Sequence, residues 1–124
     1  MTQPLPAATA STAQLDPQQI TLLRGLRNGT LLPQLLRTYR EHAVTQIEDL
    51  RAAAAKEDVE AVRLIAHALK SSSYSIGANG IGELCGKLET NARNKQLGDN
   101  ATLFGELVQR FTTLLSEIET HLAP

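Results

Sequence analysis

The chain has 124 residues, 42% of them hydrophobic, and 12 Lys and Arg against 13 Asp and Glu give it a formal charge of −1. That length and apolar share suit one domain with one core, and the balanced charge argues against a general affinity for nucleic acid or for anionic membrane surfaces. Aromatic residues are only 3%, Leu and Ala abound, and the single cysteine, Cys85, excludes an internal disulfide, so the expectation is an aliphatic, helical core in a reducing compartment.

The first 14 residues, MTQPLPAATASTAQ, offer little to bury, which predicts a flexible tail or linker ahead of a domain spanning 15–124. They lack a basic stretch followed by an apolar run, so no secretory signal is expected. No run of about 18 apolar residues occurs anywhere, so membrane insertion is not expected either, and the reading is a cytoplasmic domain. Asp16-Pro17 has the pattern of an N-cap followed by proline at the first helical position. A short helix to about Arg27 follows, packing through Ile20, Leu23 and Leu26, with Asn28-Gly29 as its stop. The second helix, about Thr30 to Lys56, carries Leu32, Leu35, Leu36, Tyr39, Ala43, Gln46, Ile47 and Leu50 at helical spacing.

Asp58 is placed to cap a third helix over 59–75, closed by Gly77. On its wheel Val62, Ile65, Ala66, Leu69, Ser73 and Ile76 form one apolar stripe about 120° wide, and His67 points about 140° away from Val62. The imidazole is therefore expected in solvent, with Lys70 and Ser71 one turn along. A fourth helix is expected from Ala78 to about Leu97 with Ile81, Leu84, Cys85, Leu88 and Ala92 on one side, then a turn at Gly98-Asp99-Asn100. The last helix, about 101–122, has a sustained stripe from Leu103 to Leu122. Four long helices with short connections predict an all-α, antiparallel up-down four-helix bundle with a short extra N-terminal helix.

Several site types are excluded by spacing. The residues three before His42, His67 and His121 are Tyr39, Leu64 and Ile118, so the Glu-x-x-His pairs of bundle metal sites are missing and no metal is expected. In GANGIGELCGK a dinucleotide loop needs glycine where Cys85 stands, and a P-loop needs it where Ile81 stands. No nucleotide cradle means no autokinase activity. Ser71, Ser72 and Ser73 lack a suitably placed acidic partner on their helix, which removes the nucleophile-and-base reading. His67 remains as a nucleophile for a phosphoryl group.

The residues around it carry a pattern: Ala66-His67-x-Leu69-Lys70-x-Ser72, then Gly77-Ala78, then Leu84-Cys85-x-x-Leu88-Glu89. Over about 30–121 this resembles the histidine-containing phosphotransfer (HPt) domains, four-helix bundles of multistep two-component relays. The resemblance implies that His67 accepts a phosphoryl group from a receiver-domain aspartate and passes it to another receiver. It also implies that Glu89 faces the histidine from the adjacent helix, where a carboxylate can accept Nδ1–H and leave Nε2 free. Lys70 is expected to place its charge near the incoming phosphoryl oxygens, with Arg63 one turn back adding to the field. Leu64, Ser71 and Tyr74 form the expected partner rim, Ser71 standing where the family usually has glycine. The implied partners are receiver domains of response regulators or a hybrid sensor kinase. The domain itself is expected to be a monomer with no cofactor of its own, Mg²⁺ coming from the receiver. The rival is a bundle of the same shape that binds a kinase, receiver or other enzyme without transferring phosphate. Gly82 and Gly86, one turn apart, are candidates for close approach by the third helix or by a partner. His42 and His121 are expected to be structural or solvent-facing, and Cys85 to be a small buried apolar residue.

Overall fold

A computed structural model of the chain describes residues 14–96 and 100–123. Its helices are α1 (Pro17–Arg24), α2 (Leu31–Ala55), α3 (Val59–Ser75), α4 (Asn79–Arg93) and α5 (Asn100–Leu122), with a 3₁₀ turn at Arg27–Gly29 between α1 and α2. The four long helices close a ring in which α2 meets α3 and α5, and α4 meets α3 and α5; α1 packs on α2. Residues 1–13 of the expected tail lie outside the described residues; Gln14 is buried, and its backbone N–H donates to the Glu117 carboxylate.

The stripes read from the sequence form the core: Leu36, Leu50, Val62, Leu69, Ile81, Leu88, Leu107, Leu114 and Ile118 are all fully buried. Where α2 faces α5, Tyr39 packs on Phe111 with ring centroids 6.3 Å apart, and the Arg51 guanidinium lies 5.3 Å over the Phe104 ring. The Tyr39 hydroxyl shares a hydrogen bond of 2.9 Å with the buried Ser73 Oγ on α3, which satisfies both groups away from water.

Helix ends follow local chemistry. Asp16 Oδ1 accepts the Gln18 N–H at 3.0 Å and Asp58 Oδ1 accepts the Ala61 N–H at 3.2 Å, capping α1 and α3. Past the end of α3 the Ala78 N–H reaches the Ser73 carbonyl at 2.8 Å and the Gly77 N–H reaches Tyr74 at 3.1 Å. That wrap needs the left-handed backbone at Gly77, whose φ is +83°. The Gly77 carbonyl in turn accepts the Asp16 N–H at 2.8 Å, tying the start of α1 to the α3–α4 turn.

Two boundaries differ from the sequence reading. α1 ends at Arg24, not Arg27, because the chain turns at Gly25 and then takes positive φ at Arg27 and Asn28; Leu26 is left exposed and does not pack. α4 ends at Arg93, short of Leu97, since Lys95 adopts φ 58° and the Gln96 N–H folds back on the Asn91 carbonyl at 2.7 Å. Gly98 and Asp99 of the expected turn lie outside the described residues, and Asn100 is the first residue of α5. No helix among the described residues is long and apolar enough to cross a membrane.

Candidate functional site

The α3–α4 contact is the most extensive in the bundle, and small residues on α4 allow it. A Cβ at Gly82 would lie 2.8 Å from the Tyr74 ring, so only glycine lets that ring lie against the α4 backbone. At Gly86 the aliphatic stem of Lys70 passes 3.5 Å from where a Cβ would stand. Both glycines thus serve the approach of α3.

His67 projects from the outer side of α3 with its side chain 58% exposed. Its Nδ1 lies 2.9 Å from Oε2 of Glu89, which is on α4 and has a side chain only 5% exposed. Lys70, one turn beyond His67, places Nζ 2.8 Å from the other carboxylate oxygen, Oε1. Arg93, one turn beyond Glu89 on α4, donates from Nη2 to Oε2 at 3.0 Å. Burial alone would push the Glu89 carboxyl upward, but hydrogen bonds from Lys70 and His67 outweigh it and hold the group below its ordinary value. An ionised carboxylate only accepts hydrogen bonds, so Nδ1 of His67 carries the proton. In the neutral ring Nε2 then bears the lone pair.

On the α4 wheel Glu89 falls roughly 85° from the centre of the apolar stripe, at the bundle edge, whereas in the structure it is buried. In the unphosphorylated chain the Lys70 ammonium, expected near an incoming phosphoryl group, lies on Glu89. The reason is common to both: a carboxylate taken out of water keeps its charge only beside donors, and Lys70 is the nearest on α3. Arg93 was not anticipated. The signal was present as the Glu89-x-x-x-Arg93 spacing, which puts opposite charges on neighbouring positions of one helix face.

Among the other expected residues, Arg63 reaches back to Glu60 on its own helix, Nε to Oε1 at 3.1 Å. Leu64 is 53% exposed and Tyr74 43% exposed. Ser71 is exposed as well, its carbonyl accepting the Ser75 hydroxyl at 3.0 Å. Lys70, Tyr74, Gly86, Lys87, Glu89 and Arg93 line an open groove on the α4 side of His67. Cys85 is fully buried, and burial pushes its thiol up to about 12. His42 is exposed, and His121 Nδ1 lies 3.0 Å from Arg24 Nη2. Among the described residues no three His, Cys, Asp or Glu side chains come together as metal ligands require.

The Hpt domain family model matches residues 34–121. The structure is similar to that of histidine-containing phosphotransfer protein B (HptB) from Pseudomonas aeruginosa PAO1, with a TM-score of 0.83, 25% identity, and coverage of 88% of this chain and 94% of that one. It also shares its fold with histidine-containing phosphotransfer protein MtHPt2 from Medicago truncatula, at a TM-score of 0.76, 20% identity, and 94% and 82% coverage. No curated protein matches the chain by sequence.

Proposed function

Since the chain belongs to the Hpt domain family, with a role in two-component phosphotransfer, we propose that it is a phosphorelay intermediate. In this reading His67 accepts a phosphoryl group from a receiver-domain aspartate and passes it to a second receiver. The observation that carries the reading is the half-exposed imidazole whose Nδ1 is held by a buried carboxylate at 2.9 Å, leaving Nε2 as the nucleophile. The Nε2 lone pair attacks the phosphorus of the aspartyl phosphate. The N–P bond forms as the P–O bond to the aspartate breaks, and the aspartate leaves as a carboxylate with the electron pair. Nδ1 keeps its proton, and the positive charge that the ring gains is balanced by Glu89 across that hydrogen bond. Transfer onward is the same step in reverse, onto the aspartate of the second receiver.

Most of the barrier reduction in such a loose transfer comes from alignment, which a ring fixed at Nδ1 supplies on this side of the complex. The receiver contributes Mg²⁺ from its own acidic pocket, and this chain contributes no cofactor. Leu64, one turn before His67 on α3, and Tyr74, two turns beyond it, are exposed and offer apolar contacts for the receiver, with Arg63 and Ser71 completing the rim. The domain acts as a monomeric carrier and not as a kinase.

Incubation with a receiver phosphorylated on its aspartate is expected to label the chain with an acid-labile phosphate, and His67→Gln to abolish the label. Label retained in His67→Gln overturns the assignment. A wild-type chain that binds the receiver but takes no phosphate marks the bundle as a docking module instead.

A further inference from the structure

Glu89 has three donors for two oxygens. His67 Nδ1 and Arg93 Nη2 share Oε2 at 2.9 and 3.0 Å, while Lys70 Nζ sits on Oε1 at 2.8 Å. One carboxylate charge therefore faces two permanent cations. That surplus becomes useful once Nε2 of His67 carries a phosphoryl group, which brings close to two negative charges to a point one helical turn from Lys70.

The two cations differ in how readily they can follow it. Lys70 is an ammonium on a flexible stem, on the same helix as His67 and on its exposed side. Arg93 is on the helix of Glu89, four residues along, where helical spacing keeps the pair together whatever happens on α3. Without Arg93, a departing lysine would leave a carboxylate with a side chain 5% exposed held by one imidazole N–H, a state that burial makes costly.

We propose that Arg93 is a positioning residue of the relay: it holds Glu89 on the His67 ring while Lys70 moves from Glu89 to the phosphoryl group. The inference rests on the reading of His67 as the phosphorylated residue. The covalent change is the transfer alone, P–O to the donor aspartate breaking as N–P forms; the ammonium exchanges one anion for another, and Nδ1 keeps its proton and its hydrogen bond.

The test uses the full chain, phosphorylated with phosphoramidate so that no receiver is needed, and follows the lifetime of phospho-His67 at neutral pH. Arg93→Gln is expected to shorten that lifetime about three- to fivefold, the scale of one partly exposed ion pair, and Arg93→Lys to restore most of it. In a Lys70→Ala background Arg93→Gln should cost a larger factor than it does in the wild-type background, because Glu89 is then left on one imidazole N–H with no lysine to return to it. Equal lifetimes in Arg93→Gln and wild type, or an Arg93→Gln loss in the Lys70→Ala background no larger than in the wild-type background, overturn the proposal. If His67 takes a phosphoryl group neither from phosphoramidate nor from a phosphorylated receiver, the parent reading fails and this one with it. A labelled His67 indifferent to Arg93 defeats this inference alone.

Discussion

At Glu89 burial favours the neutral acid, while hydrogen bonds from Lys70 and His67 favour the carboxylate and win. The consequence is a defined pH signature. A carboxyl held below its ordinary 4.5 contributes stability that is fully present above that value and is lost as pH falls through the lower folded value. Glu89→Gln should therefore destabilise the fold by about 1 kcal/mol at neutral pH, a modest figure because all three donors also reach water. The difference from wild type should shrink as pH drops below the ordinary value, measured by urea unfolding across pH 3–7. A gap that widens with acid would contradict the arrangement. At this scale the sequence was only partly informative. A wheel places Glu89 at the stripe edge and His67 in solvent, but the charges that accompany the buried Glu89 are Lys70 on another helix and Arg93 one turn along its own, and no single-helix pattern contains both.

Three helices end with the same wrapped geometry, and the residue in the left-handed position differs among them. α3 uses Gly77; α2 uses Glu57, with φ 53° and the Asp58 N–H on the Ala53 carbonyl at 2.9 Å; α4 uses Lys95. A side chain in that conformation costs about 1 kcal/mol relative to glycine. Glu57→Gly is accordingly expected to stabilise the protein by up to about 1 kcal/mol, read as a raised urea midpoint with an unchanged m-value. A lowered midpoint would show that Glu57 has a compensating contact. The same chemistry explains why the end of α3 was legible and the end of α4 was not. Glycine at 77 announces the stop, whereas lysine at 95 reads as one more helical residue. Leu26 misled in the opposite way, matching helical spacing beyond a chain that had already turned at Gly25.

Across the whole molecule the apolar stripes and short connections specify the bundle, because four amphipathic helices of this length have few other ways to bury their faces. The formal charge of −1 gives no sign of a local arrangement in which Lys70, Lys87 and Arg93 line one groove together with Glu83 and Glu89. That clustering depends on how α3 and α4 are set against each other, with the Tyr74 ring lying against Gly82 and the Lys70 stem beside Gly86. Composition could not reveal it. This packing leaves one nitrogen of one imidazole open to a partner, with the other held by Glu89. The most direct measurement is ¹H–¹⁵N and ³¹P NMR of the chain after transfer from a phosphorylated receiver. A single phosphorus signal coupled to Nε2 of His67 is expected, with Nδ1 still protonated. Phosphorus on Nδ1, or on His42 or His121, would contradict it.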